Sequence, residues 1–178
     1  MASNRHLGRI IALQTLYEQD FRRSADDATF DIDEVLQRNI ARYSAMVDDV
    51  DFIKRLTDGV TKQIDALDAK LQPIAPEWPI DQIARMDRVI LRIGLYELDN
   101  DADVPPKVVI NEAVELAKAF GSENSSKFIN GVLGTALRQK EGAGESTPKV
   151  TEPEAKQAAK APTITNKPAP KAKKEPKN

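Results

Sequence analysis

The residues best suited to binding a ligand lie in a polar turn at 121–127, between two segments with helical spacing of apolar residues. Gly121 ends the first segment, and we expect it to adopt the left-handed conformation that closes many helices. Ser122 then supplies a hydroxyl that can accept the first free N–H groups of the next helix. Because a helix N-terminus carries partial positive charge and free donors, this turn is predicted to bind an anion.

A second candidate is the basic start of a predicted helix at 4–21, where Arg5, His6 and Arg9 lie close together. Positive charge in a first turn opposes the helix dipole and costs about 0.3–1 kcal/mol per charge. The pattern has two interpretations. Either these cations bind an anionic partner, or they form a solvated face with no specific role.

The sequence contains few of the residues and motifs that enzymes and metal sites use. The chain has no cysteine and one histidine, which excludes disulfides, thiol catalysis and Cys/His metal clusters. It also lacks the glycine patterns of phosphate-binding loops and the serine elbow of hydrolases. Glu97, Glu112 and Glu115 are the remaining catalytic candidates, but no nucleophile or metal ligand accompanies them. We therefore predict a binding protein that is not an enzyme and needs no metal or cofactor.

Charge divides the chain into two parts. The formal net charge is −2 over 178 residues. Residues 141–178 hold eight lysines and five glutamates, a net charge of +3, so residues 1–140 carry −5. We predict a folded domain at 1–140 and a disordered Lys/Ala/Pro-rich tail at 141–178. The tail is either a solubilising segment or an electrostatic tether for RNA or another anion.

The chain contains no apolar run of about 18 residues, which excludes a membrane span on the usual length argument. Its start also lacks the apolar segment and small-residue cleavage site of a signal peptide. A cytoplasmic location is therefore expected.

Periodicity predicts seven helical segments and no strands, so the fold class is all-α. A capping pair at Asp31 and Glu34 begins the second helix, and Asp48 begins a long third helix that ends before Pro73. The connection at 73–79 holds Trp78, which either caps the core or binds a partner.

The segment at 85–98 is apolar on nearly every face, which is typical of a central helix surrounded by others. Gly94 lies inside it and costs about 1 kcal/mol relative to alanine. We therefore expect another helix to cross closely at Gly94.

Three stretches together resemble the transcription antitermination protein NusB family: NRHLGRIIALQTLYEQDF, WPIDQIARMDRVILRIGLYEL and PPKVVINEAVELAKAFGSENSSKFINGVL. The resemblance covers residues 4 to 138. It implies two three-helix bundles sharing a central region. It also implies binding to the boxA element of nascent ribosomal RNA leaders together with the ribosomal protein NusE, and contact with other Nus factors and RNA polymerase through the complex.

The resemblance also implies which residues face each partner. The RNA-facing residues of the first helix are Arg5, His6, Arg9, Gln14 and Tyr17. Those of the turn before the last helix are Gly121, Ser122, Asn124, Lys127 and Phe128. On the middle helices, Asp81 and Asp87 form an acidic patch for the basic ribosomal protein.

Two departures from the family pattern affect the expected affinity. The family often has a run of arginines in the first turn, where this chain has only Arg5 and Arg9 around His6. Weaker RNA binding by the isolated protein follows, because fewer phosphates are neutralised. At position 124, Asn replaces an acidic residue that also occurs in the family, which removes a negative charge beside the RNA path.

Several alternatives stay open at this point. The chain could be an adaptor that binds only the ribosomal protein, without direct RNA contact. It could be a monomer or a homodimer, and it could serve antitermination, ribosome assembly or both.

Overall fold

A computed structural model of the chain describes residues 5–142, and the predicted tail lies outside them apart from its first two residues. The described part is all-helical, as the periodicity predicts. Its seven α-helices are, in chain order, α1 (Arg5–Ser24), α2 (Ile32–Arg42), α3 (Val50–Lys62), α4 (Ile64–Leu71), α5 (Arg85–Asn100), α6 (Pro106–Phe120) and α7 (Ser125–Glu141). A 3₁₀ turn at Ile80–Gln82 precedes α5.

The helices form two groups that share α5. In the first group α1 packs against α2 and α3, and in the second α6 and α7 pack against each other and against α5. Helix α5 also contacts α1, α3 and α4. It is buried on almost every face, with Val89, Ile90, Leu91 and Ile93 at most 1% exposed. This confirms the central helix and the two three-helix bundles sharing a central region.

Gly94 allows α7 to approach α5. A Cβ atom built on Gly94 would lie 2.5 Å from Cδ1 of Leu133 on α7, far inside van der Waals contact. Leu133 is itself fully buried and cannot move aside cheaply. The close crossing predicted at Gly94 is therefore confirmed.

An ion-pair network ties α1 and α4 to α5. Asp20 of α1 accepts hydrogen bonds from Arg85 at 3.0 Å, and from Arg88 and Arg92 at 2.7 Å each. Arg92 also donates two 2.7 Å bonds to Asp68 of α4. Burial alone would raise the pKa of Asp20, but hydrogen bonds from Arg92 and Arg88 outweigh it and hold the pKa below its usual value.

Two boundary predictions are wrong. The predicted long third helix is two helices, because the backbone leaves helical geometry at Gln63 (φ −115°, ψ 13°) and restarts at once as α4. Asp49, not Asp48, caps α3, with its carboxylate accepting from the N–H of Phe52 at 2.9 Å. By contrast, Asp31 caps α2 as predicted, accepting from the N–H groups of Asp33 and Glu34.

Trp78 is 43% exposed in the connection before α5, so it does not cap the core as a buried side chain. Among residues 5–142, no helix combines the length and the apolar character needed to cross a membrane.

Candidate nucleic-acid interface

The first turn of α1 places Arg5 and His6 at the surface, each beside a carboxylate. Nε of Arg5 lies 3.6 Å from Oδ2 of Asp49, and its guanidinium carbon lies 5.1 Å from the centre of the Phe52 ring. Nδ1 of His6 lies 2.8 Å from Oε2 of Glu112. Both side chains remain accessible, at 33% and 47% exposed. Arg5 and His6 can therefore contact an anionic ligand by exchanging their present carboxylate partners, Asp49 and Glu112, for it.

Arg9 has a different environment from the other two cations. Its side chain is 4% exposed and makes a bidentate pair with Glu97 of α5: Nε donates to Oε2 at 2.9 Å and Nη2 donates to Oε1 at 2.7 Å. Nη1 donates to Glu112 of α6 at 3.4 Å. The guanidinium also lies over the ring of Phe52, 5.3 Å from its centre.

These contacts give Arg9 a positioning role and correct its prediction as an RNA-facing side chain, because its guanidinium faces two carboxylates inside the protein. Burial raises the pKa of the Glu97 carboxyl above its usual value, while the hydrogen bonds from Arg9 oppose this rise. Arg9 thus holds α1 against α5 and α6. Arg5 and His6 project from the same turn, which the pair fixes in place.

The turn between α6 and α7 is polar and tight, as predicted, but its chemistry differs in two respects. Gly121 has φ −89° and ψ −169°, which is extended and not left-handed. Glycine is needed there for space, since a Cβ would lie 2.5 Å from Cβ of Ser125 and 2.7 Å from the carbonyl oxygen of Ala117.

The hydrogen bonds of this turn also differ from the predicted helix cap. Ser122 does not cap α7 with its hydroxyl. Instead the backbone N–H of Ser122 donates to Oγ of Ser125 at 2.8 Å, and the two hydroxyls lie 3.0 Å apart. Asn124 is the residue before the helix and makes no side-chain capping bond. It is exposed, as is Lys127, so both side chains point to where a ligand can reach them.

Asp87 does not lie on an exposed acidic patch, which corrects its prediction as a partner-binding residue. It is 7% exposed in the first turn of α5. Burial raises the pKa of its carboxyl, and a hydrogen bond with Ser125 opposes the rise. A buried carboxylate therefore lies beside the first residue of α7, which reduces the attraction of that helix start for phosphate. Asp81, in contrast, is exposed.

An open groove lies between the first predicted RNA-facing segment, on α1, and the end of α6. It encloses about 330 Å³ and is lined by Gln14 and Tyr17 of α1 and by Phe120, the last residue of α6. Phe120 immediately precedes Gly121, so the groove lies next to the start of the polar turn, although no residue of 121–127 lines it. Phe128 is half-buried and packs against the core, which leaves only part of its ring accessible.

Sequence reasoning missed Phe21 and Phe120 as candidate ligand-binding residues. Phe21 is 50% exposed and Phe120 is 38% exposed, and both line the groove. Phe120 continues the apolar stripe of α6, so the sequence pattern predicts a buried side chain at this position. Phe21 is four residues after Tyr17, and that spacing on one helix face is the signal that could have found it.

Within residues 5–142, no three His, Asp or Glu side chains are grouped so as to hold a metal ion. What the arrangement offers is aromatic rings, a side-chain amide and a few accessible cations. Those groups suit recognition of a single-stranded nucleic acid.

Comparison with known proteins identifies the family. The sequence profile of the NusB family matches residues 6–138. The chain is 43% identical over 138 residues to the transcription antitermination protein NusB of Dehalococcoides mccartyi (strain CBDB1), covering 78% of this chain and 92% of that one. It is 44% identical over 139 residues to the NusB of Chloroflexus aggregans, covering 77% and 89%.

Solved structures agree with the sequence matches. T. maritima NusB superposes with a TM-score of 0.69 at 28% identity, covering 78% of this chain and 94% of that one. A crystal structure of the antitermination factors NusB and NusE in complex with double-stranded RNA superposes with a TM-score of 0.68 at 25% identity, covering 78% and 99%. The chain belongs to the NusB family of transcription antitermination proteins and, as its sequence predicts, is not an enzyme.

Proposed function

We propose that this protein binds the boxA element of nascent ribosomal RNA leaders together with ribosomal protein NusE, in the cytoplasm, and so supports ribosomal RNA transcription by RNA polymerase. The observation that carries the proposal is the groove lined by Gln14 and Tyr17 of α1 and by Phe120, the residue that precedes the turn before α7. The related complex of NusB, NusE and RNA supports both partners.

The RNA path in this proposal runs from the first turn of α1 to the polar turn. Arg5 and His6 contact phosphates at one end, and Lys127 contacts them at the other. Asn124 lies beside the path without adding negative charge. Arg9 makes no RNA contact, because it is held by Glu97 and Glu112.

The protein surface for NusE in this proposal includes Asp81, which is exposed in the 3₁₀ turn before α5. A carboxylate there attracts a basic partner and speeds its association. Asp87 is not part of this surface because it is buried. Contact with other Nus factors and RNA polymerase is made through the assembled complex.

The test is fluorescence anisotropy of a labelled single-stranded boxA RNA, titrated with the protein at 50 mM and 200 mM salt, with and without NusE. We expect binding that weakens with salt and tightens when NusE is present. A scrambled RNA of the same length and composition is the control. Equal affinity for the two RNAs in the presence of NusE would refute boxA recognition.

An adaptor that binds NusE without touching RNA is the second candidate. It is favoured by the environment of the three N-terminal basic residues, since Arg9 is buried and Arg5 and His6 each lie beside a carboxylate. The same titration separates the two. No RNA binding at 50 mM salt, combined with NusE binding in a pull-down, would support the adaptor.

A further inference from the structure

The groove between α1 and the end of α6 is open, apolar and built from aromatic side chains. Tyr17 and Phe21 of α1, Met86 of α5 and Phe120 of α6 line it. Single exposed apolar residues are common on protein surfaces and need no explanation. Two exposed phenylalanines that line one groove are a different observation, because they present their rings side by side to a ligand.

The aromatic rings of α1 are held in fixed positions. Tyr17 and Phe21 are one helical turn apart on the same face. The guanidinium carbon of Arg85 lies 5.9 Å from the centre of the Tyr17 ring and 5.1 Å from that of Phe21. Arg85 is itself fixed by bonds to Asp20 at 3.0 Å and to Ser24 at 2.9 Å. Rings that are ordered before binding lose less entropy when a ligand stacks on them.

The lining of the groove offers no free charge to a phosphate. Glu18 is in the lining, and its carboxylate oxygens pair with Arg38 at 2.6 Å and with Arg22 at 3.7 Å. The other lining residues are uncharged and mostly apolar, which suits a flat, uncharged group. Gln14 also lines the groove and supplies an amide that can both donate to and accept from the edge of a base. Its present partner is the Tyr43 hydroxyl at 3.4 Å, a long bond that is easily exchanged.

We infer that this groove holds an unstacked base of single-stranded RNA, stacked against Phe21 and Phe120, while the phosphates follow the cations outside it. The inference rests on the proposed RNA-binding function and adds residues to it. Its support is continuity, since the groove shares Gln14 and Tyr17 with the proposed RNA path, and Phe120 in its lining directly precedes the polar turn in the chain. Stacking on aromatic rings is how proteins bind unpaired bases of any sequence.

The test compares two double variants, Phe21→Ala/Phe120→Ala and Phe21→Leu/Phe120→Leu, with the wild-type chain. Both positions are exposed, so we expect both variants to fold, as checked by circular dichroism and thermal unfolding. Leucine keeps apolar volume but removes the ring face. We expect both double variants to bind single-stranded boxA RNA about 5-fold to 100-fold more weakly than wild type, with the same salt slope.

The matched control is Trp78→Leu, which removes a 43% exposed aromatic ring that does not line the groove. It should leave RNA affinity unchanged. If the wild-type chain binds RNA and the double variants bind equally well, the groove inference is wrong and the proposed function stands. If the leucine variant alone binds like wild type, the groove recognises apolar volume and not a base.

Two further results would overturn the inference. Loss of NusE binding with unchanged RNA binding would assign the groove to a protein partner. A wild-type dimer in analytical ultracentrifugation that the alanine variant abolishes, with RNA affinity unchanged, would assign it to a second copy of this chain. Absence of RNA binding by the wild-type chain, even with NusE present, would refute the proposed function and the groove inference together.

Discussion

Replacing Arg9 by alanine tests whether this residue stabilises the fold or binds RNA. The change leaves the Glu97 carboxylate, 2% exposed, without its bidentate partner. Removing one member of a buried ion pair costs about 3–5 kcal/mol, because the remaining charge is buried and uncompensated. Domains of this size are stable by about 5–15 kcal/mol, so Arg9→Ala should lose a large fraction of its folding free energy.

The matched control is Arg5→Ala, one helical turn earlier in α1. Arg5 is one-third exposed, and its 3.6 Å pair with Asp49 is worth about 1 kcal/mol or less. Urea unfolding followed by circular dichroism at pH 7.5 measures both variants. Arg9→Ala should shift the midpoint strongly and Arg5→Ala only slightly.

Acidity should partly rescue the Arg9→Ala variant. Burial already raises the pKa of Glu97 in the folded wild-type protein, and the loss of Arg9 removes the group that opposes this rise. Between the usual pKa of 4.5 and the raised one, the folded variant binds a proton that the unfolded chain does not. Its stability therefore decreases as pH rises through that window. The deficit relative to wild type should be smaller at pH 5.5 than at pH 7.5.

RNA titrations complete the experiment. These titrations are made without urea, at a temperature where both variants are folded. Arg5→Ala should then reduce the slope of log affinity against log salt concentration by about 0.7, the value for one phosphate contact on a single strand. Arg9→Ala should leave that slope unchanged. An Arg9→Ala protein as stable as wild type, with a reduced salt slope, would show that Arg9 reaches RNA and that the buried pair contributes little.

Three other changes give direct tests. Gly94→Ala should destabilise the protein by about 1–3 kcal/mol in urea unfolding, because the new methyl overlaps Leu133, despite alanine's better helix propensity. Gly131→Ala is its control, since no atom lies within 4 Å of the added Cβ, and it should be neutral or stabilising. Asn124→Asp should weaken RNA binding about fivefold at low salt, as one charge about 4 Å from a phosphate in water costs about 1 kcal/mol; an unchanged Kd in the anisotropy titration would mean that the side chain points away from RNA. Deleting residues 142–178 should weaken RNA binding at 50 mM salt and hardly at 200 mM if the tail is a tether, whereas unchanged affinity at low salt would leave it a solubilising role.

Local patterns predicted the helices well because the signals for them are local. Apolar spacing located the helical segments, although it merged α3 and α4 into one, and the capping group at Asp31 is the one that the sequence predicts. The break at Gln63 escaped detection, since apolar spacing continues across it and neither glycine nor proline marks it.

The candidate site was harder to predict because burial depends on distant residues. Arg5 and Arg9 are four residues apart on one helix, yet only Arg9 faces Glu97, which is 88 positions further along the chain. Asp87 was expected at the surface although it lies in a helix that is apolar on nearly every face. That same pattern could have shown that Asp87 is buried, as Arg92 and Glu97 on this helix also are.

The groove was not predicted because no single segment contains it. Its rings come from α1 and α6, which are far apart in the sequence and are brought together by packing around α5 and by the bonds of His6 and Arg9 to Glu112. A sequence can indicate which rings are on one helix face. It does not show which faces are left uncovered.

The shared central helix has a consequence for how the protein unfolds. Since α5 contributes the core of both helix groups, neither group can lose it and keep its own packing. Residues 5–142 should therefore melt as one cooperative unit and not as two successive halves. Amide protons of α5 should exchange with solvent only through global unfolding, while those near the ends of α2 exchange through smaller local openings.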